Sequence, residues 1–365
     1  MNKKMKNISI IILLIFTLVM TACGNSSVNN NNEAEEKPVT KPEVEVVQEP
    51  TEHEITDMAG RKVTLSTNIE KVVLVGSVPV LSSFLLAVGE GDKIVSGLPE
   101  SFAKQNRWEY LPKFAPNLAS KPKMQTESSD PNIEEILKAD PDVIFTMSED
   151  MISTFENNNL RVVFLSWKEP EDVKKTIKLV GEIFNKQEKA QEYTEYFDNS
   201  IEKVTSIVKD LSEEEKVKVL NMNVKNLSQP HAIAEWWIKQ AGGLSVTEDG
   251  SNLETQNFSI EQFLDWDPEV LIVSNPSDIV ELNTDGRYKN ITAVKDQRIY
   301  STPLGAHIWA NRTSEQPLMV MFAAKQFYPE LFKDLDVVQE MIDFYGKFYG
   351  YTLTKEEAEE ILAGK

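Results

Sequence analysis

The chain writes one short pattern twice. Residues 132–145 read NIEEILKADPDVIF and residues 259–272 read SIEQFLDWDPEVLI. Ile, Glu, Leu, Asp, Pro and Val coincide, six of fourteen positions, and the copies begin 127 residues apart, at Asn132 and Ser259. Each copy has the same physical reading. Asn132 or Ser259 is a good N-cap, and Glu135 or Gln262 three residues on can complete a capping box. A short helix follows. Asp-Pro ends it, because the residue before proline is pushed out of the helical region. Residues 143–146 and 270–274 then read as buried strands of the all-apolar, parallel kind. A spacing this long excludes a solenoid and calls for two similar α/β lobes.

The rest of the chain fits two lobes. TDMAGRKVTL at 56–65 reads as a hairpin turning at Gly60. Strands are expected at 72–75, 94–96, 162–165, 217–222 and 299–301, and helices at 82–88, 314–327 and 335–348. A last helix begins at the capping pair Thr354 and Glu357. From 171 to 211 there is no proline, and Leu179, Ile183, Ala190, Tyr193, Phe197, Ile201, Val204 and Val208 recur at helical spacing. A long helix there would join the lobes stiffly, unlike a Gly/Ser linker. The 365 residues are 41% hydrophobic, enough for a real core. With 38 basic and 58 acidic residues the net charge is -20, the wrong sign for a nucleic-acid partner.

The N-terminus sets the compartment. Lys3, Lys4 and Lys6 precede an apolar run over 8–20, and Thr21-Ala22 precede Cys23, the only cysteine. This is the pattern of a secretory signal peptide. It also resembles a bacterial lipobox, with Met20 in place of the more usual Leu, so that Cys23 would become a lipidated N-terminus. One cysteine allows no intramolecular disulfide and no multi-cysteine zinc site. Residues 24–54 hold eight Glu and two Lys among Asn, Pro and Val, a composition suited to a solvated tether. The expected divisions are a leader over 1–22, the lipidated Cys and tether over 23–54, an N-terminal lobe over 55–170, a helical link over 171–211 and a C-terminal lobe over 212–365.

Taken in order, the leader, TDMAGRKVTL, the two repeat copies, the long central helix, EWWIKQAGG and YSTPLGAHIWANRTSEQPL resemble one family. It is the helical-backbone substrate-binding proteins of ATP-binding-cassette importers for iron siderophores, haem, vitamin B12 and other metal chelates. The resemblance implies two Rossmann-like lobes joined by one rigid helix, with the ligand in the cleft between them. It implies a non-enzymatic monomer outside the cytoplasm, lipid-anchored to the membrane, with an importer permease as partner and no resident cofactor. The expected cargo is an iron complex, a siderophore or related chelate. Haem, a corrinoid and a nickel chelate stand as alternatives.

Site residues follow from the loops that end strands, where open α/β sheets bind ligands. They are Ser77 after the first strand, Arg107 and Trp108 after the next, His231 and Trp236 in the second lobe, and His307, Trp309 and Arg312 after the late strand. Trp309, Arg312 and Ser314 match the Trp-x-x-Arg-x-Ser pattern of the vitamin B12-binding member. Trp309 offers a face for stacking, and Arg312 a charge for an anionic complex. His231 and His307 are candidate metal ligands, though two histidines fall short of a bare zinc or manganese site, which needs about three plus carboxylates. Of Trp236 and Trp237, one should enter the core and one should reach the cleft, because adjacent helical residues diverge by about 100°. Glu134 and Glu261, two places after each N-cap, complement the helix dipole. By resemblance they also dock each lobe on arginines of the permease. A secreted hydrolase is the contrary reading, and it lacks G-x-S-x-G, H-E-x-x-H and a P-loop. A surface adhesin would not need paired glutamates in the two lobes.

Overall fold

The computed structural model describes residues 51–365 except Asn106 and Asn252. The leader, Cys23 and residues 24–50 of the expected tether lie outside the described residues. Strand β1 (Glu52–Thr56) pairs antiparallel with β2 (Lys62–Ser66), so order begins inside the last residues assigned to the tether. Ile55 and Leu65, opposite in phase to their polar neighbours, point to the core, and Gly60 takes a φ of 78° at the turn. Positive φ at a hairpin is the position glycine fills without steric cost.

The N-terminal lobe carries a parallel sheet in the order β3 (Val72–Val75), β4 (Val143–Thr146), β5 (Val162–Phe164). All eleven of its residues are buried, as an internal parallel sheet covered on both faces requires. The strand expected at 94–96 contributes only one bridge, Ile94 to Val72. Helix α1 (Val78–Ala87) is buried along its whole length, so it is apolar all round rather than amphipathic. Short helices α2 (Glu100–Ala103), α3 (Tyr110–Phe114) and α4 (Asn117–Ser120) lead to α5 (Ile133–Ala139), the first repeat helix, and α6 (Ile152–Glu156) follows β4.

The link is two helices, α7 (Asp172–Ile183) and α8 (Gln187–Val208). They break at Asn185, whose φ is 55°, and the 22 residues of α8 supply the long rigid element. The C-terminal lobe orders its parallel sheet β11 (Ile299–Ser301), β10 (Val270–Val273), β6 (Lys218–Met222), β8 (Leu244–Ser245). A small antiparallel pair, β7 (Ser228–Gln229) and β9 (Gln256–Asn257), lies beside it. Its helices are α9 (His231–Gln240), the second repeat helix α10 (Ile260–Trp266), α11 (Pro276–Thr284), α12 (Thr292–Lys295) and α13 (Gln316–Phe327). The chain closes with α14 (Val337–Phe344), a π-helical turn (Tyr345–Tyr349) and α15 (Lys355–Leu362).

The repeat behaves alike in both lobes. Ser259 Oγ accepts the Gln262 amide at 3.1 Å and Gln262 Oε1 accepts the Ser259 amide at 2.8 Å, while Asn132 Oδ1 accepts the Glu135 amide at 3.3 Å. Both aspartates before proline leave the right-handed helix, but into the left-handed region, with φ of 49° at Asp140 and 42° at Asp267. That is a left-handed helix C-cap, a conformation Asp tolerates, rather than the extended one expected before proline. Ile136 and Phe263 then fall at matched core positions, each worth roughly 1.5–3 kcal/mol of burial.

One apolar core runs from Val72 and Leu74 through Ile177, Tyr193 and Phe197 to Val219 and Val270. It joins both sheets through α7 and α8, whereas each sheet's other face has a small cluster of its own. The C-terminal segment touches both lobes. Ile361 O accepts the Leu304 amide at 3.0 Å, and Tyr110 of α3 donates to Glu360 at 2.5 Å. Among the described residues no helix is long and apolar enough to cross a membrane.

Candidate functional site

The strand ends of both sheets face one cleft, and its two ends are built differently. At one end the lobes touch. Arg107, from the loop after α2, donates from Nη1 to Asn275 Oδ1 at 2.6 Å and from Nη2 to Ser274 O at 3.0 Å, both just after β10. Burial pulls its guanidinium below its ordinary pKa, partly offset by Asp278. Beside it Trp108 stacks on His307 with ring centroids 5.1 Å apart and planes 27° apart, and Phe102 meets the edge of Trp108 at 5.4 Å. His307 is 5% exposed, and desolvation, reinforced by Arg107, pushes its pKa down to about 4 against a hydrogen bond to Ile308 O. The imidazole is therefore neutral in this closed contact.

At the other end a cleft of about 460 Å³ stays open between the loop that follows β5 and the second lobe. Lys168, Glu169 and Pro170 line one wall, with Trp236, Glu235 and Lys239 of α9 and Glu254 opposite, and Arg312 completes the lining. Arg312 is 9% exposed, yet it makes no hydrogen bond or ion pair among the described residues, and its Nε is buried without a partner. Burial lowers its pKa, with Glu169, Asp172 and Glu254 acting the other way from a distance. A buried guanidinium held open in this manner has unused donors in a planar fork, the geometry that grips carboxylates and other oxyanions.

The remaining candidates divide. Trp236 is half-buried, packs 6.1 Å from Phe197 and lines the cleft, while Trp237 is fully buried, so the adjacent pair splits between cleft and core. Ser77 is the N-cap of α1 without a side-chain capping bond, and the next strand's loop is tied to it through the Gly76 amide and Gln125. Trp309 requires correction. It is 0% exposed and packs in the core with its Nε1 3.4 Å from Tyr345 Oη, so it has no free face for stacking, and Trp236 is the aromatic on the cleft. His231 also requires correction. It opens α9 fully buried, with Nε2 3.1 Å from Thr247 O, so it stands beneath the cleft rather than on it. Its neighbours Ser245 and Thr247 donate to Glu235 Oε1 at 2.8 and 2.7 Å and hold that carboxylate in place. Among the described residues no set of three or more His, Cys, Asp and Glu is arranged to hold a bare metal ion.

Four contributors escaped the sequence reading. Lys168 and Glu169 follow β5, a strand end that contributes no candidate to the sequence reading, although the same rule finds them. Glu235 gives no sequence signal beyond its place on α9. Glu315 was read only as part of a helix start. In fact it is fully buried, with its pKa raised to about 7 by desolvation against hydrogen bonds from Tyr345, His307 and Ala306.

On the outer surface Glu134 and Glu261 occupy matched, exposed positions in α5 and α10. Glu134 pairs with Lys138 at 2.9 Å, and the counterpart of that lysine in α10 is Asp265.

A family model described as periplasmic binding protein matches residues 84–304. The molybdate-binding protein MolA of Haemophilus influenzae is 24% identical over 321 residues, 81% of this chain and 90% of that protein. Its molybdate-bound structure superposes with a TM-score of 0.72 at 23% identity, covering 83% of this chain and 99% of that one. A periplasmic solute binding protein of Veillonella parvula is similar at 27% identity and a TM-score of 0.75, over 85% and 97% of the two chains. Nickel(II)-bound CeuE of Helicobacter pylori shares the fold at 18% identity, with a TM-score of 0.66 over 85% and 99%.

Proposed function

The chain belongs to the periplasmic binding protein family, and from that premise we propose that it captures an anionic metal complex, a ferric siderophore or related chelate, for an importer. It is a substrate-binding protein of an ATP-binding-cassette transporter that works outside the cytoplasm, and it is not an enzyme. The observation that carries the finer reading is Arg312: a buried cation without a partner among the described residues, lining an interlobe cleft of about 460 Å³ beside Trp236. That volume falls within the roughly 300–1,000 Å³ of small-molecule sites. Arg312 would pair with the acidic groups of the complex, and Trp236 would cover an apolar or aromatic part of the chelator. Haem, a corrinoid or a nickel chelate would use the same two features.

A second reading, a bare tetrahedral oxyanion, is favoured by the relation to MolA. Such an ion would fill only a small part of the cleft and would face Glu169, Glu235 and Glu254. Titrating the full chain with ferric citrate, a ferric trihydroxamate, haemin, cyanocobalamin, nickel-histidine and molybdate, while following tryptophan fluorescence, separates the readings. A saturable change with a ferric complex alone supports the first. A response to molybdate alone replaces it with the second.

Two further parts complete the proposal. Glu134 and Glu261 would set the docking register on the two permease subunits, because exposed charges steer encounter and orientation. Reversing both to Lys should abolish uptake and leave ligand affinity unchanged; normal uptake would remove this role. Cys23 would carry the lipid anchor, and Cys23→Ala should release the protein from membranes. A variant that still partitions with membranes would end that assignment.

A further inference from the structure

We propose that Glu315 is the positioning residue of the cleft loop: its buried carboxylate clamps the amides of Ala306 and His307 to the Tyr345 hydroxyl and so fixes where His307 and Arg312 stand. This rests on the reading above, in which that loop lines the ligand cleft.

Between β11 and α13 the chain runs buried without regular structure, apart from one bridge between Leu304 and Ile308. Buried amides in such a stretch need partners, and neither helix nor sheet provides them. Glu315 Oε1 accepts the Ala306 amide at 2.7 Å, and Oε2 accepts the His307 amide at 2.9 Å. Tyr345 donates to Oε1 at 2.5 Å. The space is closed around this group. A Cβ on Gly305 would run into the Tyr345 hydroxyl and Glu315 Oε1, so glycine is required at 305 for the carboxylate to enter.

The anchor is itself tied to both lobes. The Tyr345 ring stacks on Phe114 of α3 with centroids 4.6 Å apart. Tyr349, at the end of the same π-helical turn, shares a hydrogen bond of 2.8 Å with Ser314, whose hydroxyl is 2.9 Å from Ser83 O of α1. One wide turn thus delivers two tyrosines to two adjacent loop residues, and π-helical turns of this kind recur at functional sites.

Glutamine at 315 keeps one accepting oxygen but turns an NH2 toward the second amide, so one of the two loop anchors is lost. Hydrogen exchange on the ligand-free full chain reads this directly. In Glu315→Gln, protection of the 304–312 segment should fall about tenfold, one lost amide anchor. Protection in β6 and β10 should stay unchanged. Gly305→Ala, which leaves Glu315 in the chain but crowds its carboxylate, should reproduce that local loss. Tyr345→Phe, which keeps the stack on Phe114, should give a smaller loss in the same segment. Unchanged protection at 304–312 in Glu315→Gln would overturn the proposal, and so would an equal loss across both sheets, which would make Glu315 a general core residue. Because no ligand is present, the outcome is independent of which complex the cleft binds, and failure to bind ferric probes would leave it standing.

Discussion

At one end of the cleft Arg107 gives its hydrogen bonds to Ser274 and Asn275 and Trp108 lies on His307; at the other, Arg312 is buried and finds no partner among the described residues. Both ends use an arginine and a tryptophan, Arg107 and Trp108 from the loop after α2, and Arg312 from the loop after β11 with Trp236 from α9. The arginine of the first is hydrogen-bonded within the protein, though Trp108 Nε1 beside it is buried without a partner among the described residues, and the arginine of the second is left open at an energetic cost, since an unpaired buried charge is unfavourable. A satisfied cation crossing between lobes holds them together. An unsatisfied one beside a cleft is kept for something that arrives from outside.

The largest effect expected from this contrast is on binding. Arg312→Met should weaken affinity for the ferric complex by about 2–5 kcal/mol, tens- to thousands-fold, while leaving the apo protein as stable or more so. Arg107→Met should do the reverse, lowering the thermal midpoint with less than about tenfold loss of affinity. Calorimetric titration and thermal unfolding of both variants check this, and equal effects at the two positions would erase the distinction.

A smaller effect concerns acid. His307 is held neutral with a pKa of about 4, below the ordinary imidazole value of 6.5. Between those values the unfolded chain binds the proton and the folded chain does not. Stability tied to His307 is therefore intact above about pH 6.5 and falls as pH drops toward 4, by up to about 3 kcal/mol. His307→Gln should flatten that part of the profile, as urea unfolding at pH 7 and pH 4.5 would show; an identical slope in the variant would mean that the closed end does not exclude the proton. The smallest effect is at Trp236, where Trp236→Ala should cost about 1 kcal/mol of binding and remove most of the fluorescence response. A full response in that variant would move the reporter to another tryptophan.

The sequence exposed those parts of the molecule whose cause is local. Asn132, Ser259 and Thr354 cap helices by accepting the backbone amide three residues on, and short runs of mostly β-branched apolar residues such as Val72–Val75 suit a buried parallel strand. The lobes, their parallel sheets and the family resemblance followed from such signals. What stayed hidden depends on partners distant in the chain. Trp309 looks the same on paper whether it meets a ligand or Tyr345, and only packing decides. The break at Asn185 is invisible to a periodicity that continues across it. Glu315 seemed an ordinary first-turn acid, because Gly305, Tyr345 and Phe114 come together only in the fold. Arg312 was legible as a cation on the right loop, but its lack of a partner among the described residues, the fact that gives it meaning, belongs to three dimensions.

The most direct test of the open end is to locate the metal. Protein purified from its own host should be crystallised and its anomalous scattering measured at the absorption edge of the metal it carries. The expected result is a single peak in the cleft between Lys168, Trp236 and Arg312, with the chelator's acidic groups on the Arg312 guanidinium. A peak held instead by His307 and Trp108, or a ligand that leaves Arg312 unpaired, would contradict the division of the cleft into a closed end and a binding end.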